Sequence, residues 1–155
     1  MTRILLIPGG TTPGSLHTAA LRTAARFAPP EITTSLYEDL RTLPAFVPGE
    51  LHPPTVVTLL RQWVTAADAV LFSTPEYAGS LPGSLKNLLD WLVDGGELDG
   101  KPAAWLSVVA PGHDEGALAT LQTVLGHANA RILQSACIRV PLHPTSVDAH
   151  GLVAG

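Results

Sequence analysis

The sequence has little cysteine and little charge, and it lacks long apolar runs. Its one cysteine, Cys137, permits no internal disulfide and no thiolate metal cluster. Charged residues make up only 14% of the 155 residues and the net charge is −4, so no basic surface is expected for nucleic acid or an anionic membrane. No apolar stretch reaches the roughly 18–20 residues of a membrane span, and Met1-Thr2-Arg3 leads directly into a predicted strand rather than a signal peptide. We therefore expect a cytoplasmic protein.

What the sequence does contain predicts a compact α/β domain. Apolar residues make up 46% of the chain, enough to exclude a disordered chain, and the length of 155 residues suits one domain. Short apolar runs alternate with segments of helical periodicity, and the predicted strands cover 3–7, 32–37, 69–72, 102–109 and 132–138. This alternation implies a parallel sheet with right-handed crossovers and helices on both faces.

The segment between strand 69–72 and the next helix contains more proline and glycine than a simple connection needs. Pro75 and Pro82 stiffen it, while Gly79 permits backbone conformations that side chains block. Glu76 and Tyr77 project between them. Two interpretations stay open, a loop that borders a ligand and a turn whose Tyr77 caps the core. Glu76 is expected to be a structural or backbone-bonding residue rather than a catalytic acid.

Two other strands are followed by special loops. Residues 8–15 are rich in glycine and hydroxyl groups, and Ser15 is placed to cap the next helix. This composition allows either an anion site at a helix N-terminus or an ordinary strand-to-helix turn. Residues 110–116 form a third Gly-bearing loop between a strand and a helix. Because the carboxyl ends of parallel strands meet at one edge of a sheet, the three loops are expected to converge there.

The residues from Pro75 to Trp91 also carry a resemblance to a known family. The pattern Pro-Glu-Tyr-x-x-Ser-x-Pro-Gly-x-Leu-Lys-Asn-x-x-Asp-Trp resembles the signature of the NADPH-dependent FMN reductases, which include quinone, chromate and azo-dye reductases. Every fixed position is met. The resemblance implies a single flavodoxin-like, FMN-binding domain over 1–155, a doubly wound five-stranded parallel sheet of order 2-1-3-4-5. It further implies hydride transfer from NADPH or NADH through FMN to a quinone-like or similar acceptor.

The same resemblance implies a set of FMN-binding residues. In the family the first loop runs roughly Gly-Ser-x-Arg-x-x-Ser-x-Asn and holds the FMN phosphate. Here Gly10 stands where Ser is usual, Thr12 where Arg is usual and His17 where Asn is usual. The implied residues are Gly9, Gly10, Thr12, Ser15 and His17 at the phosphate, Pro75, Glu76, Tyr77 and Ala78 at the ring, and Pro111 and Gly112 on its far side. No side chain is expected to be catalytic, because the cofactor carries the chemistry.

The loss of the usual arginine predicts weakened FMN binding. A guanidinium gives a charge-assisted phosphate contact that the Thr12 hydroxyl cannot replace. We therefore expect FMN to bind measurably but to leave on dialysis. The alternative function is a non-catalytic flavodoxin-like electron carrier, or a binding module that has lost its cofactor.

Other expectations concern assembly and the chain's end. Family members form dimers or tetramers through the helix after Pro82-Gly83, so Leu85, Leu89 and Trp91 are expected to face a partner in a homodimer or homotetramer. The final helix of the family fold is expected to be missing, because Pro141 and Pro144 follow the last predicted strand and no helical pattern comes after them. Three explanations stay open: a smaller fold suffices, a partner chain covers the exposed sheet face, or the natural chain is longer.

The remaining candidate residues are assigned structural roles. The six histidines show no i, i+4 pair and have no cysteine partners, so a metal site is not expected. Ser15 and Ser80 lack a Gly-x-Ser-x-Gly elbow, which argues against a hydrolase. Trp63 and Cys137 are expected in the core, whereas His113 and Asp114 are expected to be solvated.

Overall fold

The computed structural model describes residues 1–154, in which helices and strands alternate as expected. The strands are β1 (Thr2–Pro8), β2 (Ile32–Leu36), β3 (Ala69–Ser73), β4 (Pro102–Ser107), β5 (Arg131–Ile132) and β6 (Ile138–Arg139). The α-helices are α1 (Leu16–Arg26), α2 (Thr55–Ala66), α3 (Gly83–Gly95) and α4 (Glu115–His127). Within residues 1–154 no α-helix follows α4, and the C-terminal segment after β6, residues 140–154, contains one 3-10 turn, Pro144–Ser146. None of the helices in this range has both the length and the apolar character needed to cross a bilayer.

The sheet has the predicted parallel order. Strand β1 lies between β2 and β3, β3 pairs with β4, and β4 pairs with β5, giving β2-β1-β3-β4-β5. In register, Leu6 of β1 lies beside Leu36 of β2 and Leu71 of β3. The flavodoxin-like order is therefore confirmed, and all loops that follow these strands lie at the same edge.

Two helical layers cover the sheet unequally. Side chains from β1 and β3, including Ile7 and Phe72, share one buried cluster with leucines of α2, α3 and α4. Helix α1 packs separately on β1, β2 and β3 through buried Ala20 and Leu21. Ser15 caps α1 as predicted, because its Oγ accepts a hydrogen bond from the Thr18 amide at 3.1 Å.

The apolar side chains of α3 are buried within the chain itself. Leu85 and Leu89 are fully buried and Trp91 is 1% exposed. The segment after β2 covers this helix: the Pro44 carbonyl accepts hydrogen bonds from Trp91 Nε1 at 3.0 Å and from Asn87 Nδ2 at 2.8 Å. The expectation that Leu85, Leu89 and Trp91 face a partner subunit is therefore wrong, since Leu85 and Leu89 pack in the core of the chain and the segment at Pro44 covers Trp91.

Three further sequence expectations fail for local reasons. The last predicted strand is divided into β5 and β6 by a 3-10 turn at Gln134–Ala136, and both short strands pair with β4. Cys137 lies just after this turn, half-buried, and its thiol donates to the Leu133 carbonyl instead of packing in the core. Trp63 is 43% exposed in a groove beside β1 and β2, where its ring meets that of Tyr37 edge-on at 6.2 Å.

Candidate functional site

The first and second loops meet directly at the carboxyl edge of the sheet. We call residues 9–15 the first loop, 74–82 the second loop and 108–114 the third loop. The Gly9 amide donates to the Ser73 carbonyl at 2.8 Å, and a Cβ at Gly9 would overlap Thr74 Oγ1 and lie 2.8 Å from Leu85 Cδ2. A Cβ at Gly10 would lie 3.6 Å from Pro75 Cγ. Glycine at position 9 is therefore required for the close approach of the two loops.

A tight turn presents Tyr77 to solvent. The amide of Tyr77 donates to the Ser80 carbonyl and the Ser80 amide donates to the Tyr77 carbonyl, both at 3.0 Å. Between them Ala78 has φ 51° and Gly79 has φ 77°, the left-handed pair that a two-residue type I′ turn requires. Tyr77 is 52% exposed, so the interpretation that it caps the core is wrong.

Helix α4 holds the second loop in place. Glu76 Oε1 accepts a hydrogen bond from the Ala117 amide in the first turn of α4 at 2.9 Å, where a carboxylate also interacts favourably with the helix dipole. A Cβ at Gly116 would overlap the Gly79 carbonyl oxygen, so the turn and the helix are in closest backbone contact there. The backbone-bonding role expected for Glu76 is what the contacts show.

A buried ion pair holds the third loop. Asp114 is 1% exposed and accepts hydrogen bonds from Ser107 Oγ and from Arg139 Nη2, the latter at 2.7 Å. Arg139 Nη1 also donates to the Val109 carbonyl at 2.7 Å. The expectation that Asp114 is solvated is therefore wrong, because β6 brings a guanidinium against it. The sequence contains one sign of this pair, which is that Arg139 is a charged residue between the apolar residues Ile138 and Val140.

The exposed part of the third loop is Pro111-Gly112-His113, with Gly112 at φ 95°. The Gly112 amide donates to Glu115 Oε1 at 2.6 Å. This hydrogen bond is the largest of several causes that lower the pKa of the Glu115 carboxyl. The loop is thus held at both ends while its tip stays open to a ligand.

His17 lies beneath the first loop as a neutral side chain. It is 7% exposed, and its Nδ1 lies 3.1 Å from Ser73 Oγ. Burial lowers the pKa of His17 to about 4, and the negative charge of Asp114 opposes that shift only in part. At neutral pH the side chain therefore brings no positive charge to a phosphate.

The tip of the first loop is open and lacks protein partners. Thr12 and Gly14 are exposed, and a Cβ at Gly14 would meet nothing within 4 Å. Among residues 1–154, no protein acceptor pairs with the amides of Gly10, Thr11 and Thr12. A pocket of about 290 Å³ lies between this loop and the segment after β2. Open amides beside a helix N-terminus are the groups that bind phosphate in proteins.

Most of the expected site residues are therefore gathered at one rim. Gly9, Gly10 and Ser15 shape the first loop, Pro75 touches it, Tyr77 and Ala78 form the exposed turn, and Pro111 and Gly112 lie at the exposed tip of the third loop. Thr12 is open to solvent, whereas His17 and Glu76 are engaged with protein groups. Within residues 1–154 no three His, Cys, Asp or Glu side chains converge on a possible metal site.

The family model for NADPH-dependent FMN reductase matches residues 2–142, which include all three loops. The chain belongs to this family. A NAD(P)H-dependent FMN reductase of Pseudomonas aeruginosa is 38% identical over 112 residues, covering 70% of this chain and 60% of that protein. A quinone reductase of Escherichia coli is 31% identical over 93 residues, covering 58% of this chain and 50% of that protein. The matched segments thus span only about half to three-fifths of these curated relatives.

The solved structure of a flavoenzyme aligns with the whole chain. FerB of Paracoccus denitrificans, described as a flavoenzyme NAD(P)H:(acceptor) oxidoreductase, has a TM-score of 0.82 at 26% identity. The match covers 100% of this chain and 87% of that one. The flavodoxin-like fold of this FMN reductase family member is therefore established.

Proposed function

We propose that this chain is a flavin-dependent reductase that binds FMN at the rim formed by the three loops, as one FMN-binding unit over residues 1–155. The observation that carries this is the convergence of open backbone amides, an exposed aromatic turn and a third glycine loop at one sheet edge. Membership of the FMN reductase family and the fold shared with FerB support the assignment.

In this proposal, different loops bind the phosphate and the ring of FMN. The first-loop amides, together with Gly9, Gly10, Thr12 and Ser15, would hold the phosphate. Pro75, the backbone at Glu76, Tyr77 and Ala78 would border one side of the ring, and Pro111 with Gly112 the other. We assign His17 a supporting position under the phosphate rather than a charge, because its pKa of about 4 leaves it neutral.

The chemistry that FMN supplies when bound is two-electron hydride transfer. The donor we propose is NADPH or NADH, and the acceptor is a quinone-like or similar small molecule that takes the nicotinamide's place. Tyr77 and the loop tips would position each of these in turn against the ring. No protein acid or base is required, since protons can come from solvent at such an open rim.

Purified protein mixed with FMN tests this function. We expect a flavin absorbance band on the protein that is lost slowly on dialysis, and oxidation of NADPH or NADH that depends on both FMN and a quinone. Flavin binding without nicotinamide oxidation would indicate the electron-carrier alternative. Absence of binding would indicate a module without cofactor.

We also propose that the chain forms a homodimer or homotetramer in a reducing, cytoplasmic location. A surface for this lies on α2, where Leu59 is 48% exposed and Trp63, one turn later, is 43% exposed. The single free cysteine suits a reducing compartment.

Light scattering of the wild type and of Trp63→Arg tests the assembly. We expect a multimer that the substitution dissociates, and a wild-type monomer at all concentrations would exclude the multimer.

A further inference from the structure

The proposed phosphate site lacks a positive charge on its own loop. Thr12 offers only a hydroxyl, Ser15 is used as the cap of α1, and His17 is neutral and buried. A phosphate monoester carries close to two negative charges at neutral pH. Open amides and a helix dipole stabilise such a charge less strongly than a guanidinium does.

Two arginines from outside the loop line the pocket beside it. The pocket of about 290 Å³ is bordered by the first-loop residues Gly10 to Gly14, by Thr18 and Arg22 of α1, and by Arg41 on the opposite wall. Thr18 is one turn before Arg22, and its amide is the group that Ser15 caps. Arg22 and Thr18 both line this pocket together with the first loop, so the guanidinium lies at the wall of the pocket that the loop borders.

The present partner of Arg22 holds it weakly. Arg22 Nη2 donates to Glu38 Oε1 at 2.9 Å, and the two side chains are 43% and 62% exposed. Such exposed pairs contribute little stability, so a phosphate dianion can compete with the single Glu38 carboxylate. The other terminal nitrogen, Nη1, lies near Gly151 of the C-terminal segment, where a Cβ would be 3.1 Å away.

We propose that Arg22 supplies the positive charge for the flavin phosphate that position 12 does not provide. This inference rests on the proposed FMN function and adds a specificity-determining residue from α1. Arg22 leaves Glu38 when the phosphate binds, so Glu38 acts as a competing anion. The pair thereby selects FMN over riboflavin, which has no phosphate.

Calorimetric titration of FMN and riboflavin, first against four proteins and then against Thr12→Arg and Arg41→Ala variants, tests the inference. The four proteins are the wild type, Arg22→Ala, Glu38→Gln and Arg26→Ala, where Arg26 is an exposed arginine one turn further along α1 that does not line the pocket. We expect Arg22→Ala to weaken FMN about five- to tenfold and to leave riboflavin unchanged, the low end for a charge-assisted contact that is partly exposed. Glu38→Gln should tighten FMN, and Arg26→Ala should change it less than about twofold because salt screens distant charges.

The opposite signs separate a phosphate role from a structural one. A merely structural surface pair would give the same small change for Arg22→Ala and Glu38→Gln, with no preference between the flavins. Thr12→Arg should restore FMN affinity in the Arg22→Ala background more than it adds to the wild type. An Arg22→Ala protein with wild-type FMN affinity would overturn the inference while the proposed function stands. A larger loss with Arg41→Ala than with Arg22→Ala would also overturn it. A wild type that binds neither flavin would overturn the proposed function itself.

Discussion

The first and second loops lie side by side at the sheet edge, but the chain holds them very differently. The second loop is fixed by the paired Tyr77 and Ser80 amides, by the Glu76 contact to α4 and by the close approach of Gly116. The first loop is held at Gly9 and at the Ser15 cap, and the residues between are exposed. The region that would border the ring is thus preorganised, whereas the region that would bind phosphate is held by protein contacts only at its two ends.

Among changes to the contacts that hold the three loops, the largest expected effect comes from breaking the ion pair of the third loop. Arg139→Leu leaves the Asp114 carboxylate buried with only Ser107 beside it, because Arg139 is its sole cationic partner among residues 1–154. We expect a loss of about 3 kcal/mol in the free energy of unfolding. Chemical denaturation measures it, with Arg131→Leu on exposed β5 as the matched control. Adding Asp114→Asn should recover part of the loss; no recovery would mean that the buried charge is not the cause.

Gly116→Ala tests how rigidly α4 locks the second loop. The new methyl group would overlap the Gly79 carbonyl oxygen, so the turn and the helix would have to move apart. A loss of about 2–3 kcal/mol is expected from this overpacking. Gly126→Ala on the same helix meets nothing within 4 Å and should instead gain about 0.5–1 kcal/mol. Equal stabilities of the two variants would refute the close contact.

His17 predicts a pH dependence that belongs to the first-loop region. The pKa of His17 is about 4 in the folded protein against 6.5 for an unperturbed histidine, so the unfolded chain binds more protons between these pH values. Stability contributed by neutral His17 is therefore complete above pH 6.5 and is lost as the pH falls towards 4, by about 2 kcal/mol between pH 7.5 and 5. His17→Gln should flatten this part of the stability curve, while exposed His52→Gln should leave it unchanged. A slope that survives His17→Gln would assign it to other groups.

The smallest expected stability effect is that of Tyr77→Ala. Tyr77 is 52% exposed, so we expect a change below about 1 kcal/mol in stability but a three- to tenfold loss of affinity for both flavins, whose ring is the same. Tyr37, the other tyrosine, is 3% exposed, and Tyr37→Ala should cost about 3–5 kcal/mol. Thermal melts and flavin titrations of the two variants compare them directly. A large stability loss with unchanged flavin affinity would return Tyr77 to a structural role.

The strand-loop-helix alternation and the three-loop rim could be predicted from the sequence, because periodicity is a local signal, whereas the sheet order was implied by the resemblance to the FMN reductases. Trp63 was expected in the core but is 43% exposed. How deeply a residue of α2 is buried depends on how far the chain packed beside the helix covers it. Trp91 was misplaced for the converse reason, because a distant segment at Pro44 covers it. Asp114 with Arg139, and Arg22 with Glu38, are separated along the chain by 25 and 16 residues, and only the folded backbone brings them together. Contacts of this range leave almost no trace in a single sequence.

Backbone amide NMR of the labelled protein during titration with FMN tests whether the three loops bind the flavin and the first loop binds its phosphate. We expect large shift changes for residues 10–14, smaller ones for 76–80 and 110–112, and little change across α2 or the outer side of α4. Riboflavin should shift the ring-bordering residues and leave 10–14 nearly unmoved, because it has no phosphate for the first loop to bind. Shift changes centred away from these loops, or identical first-loop changes with both flavins, would contradict the account.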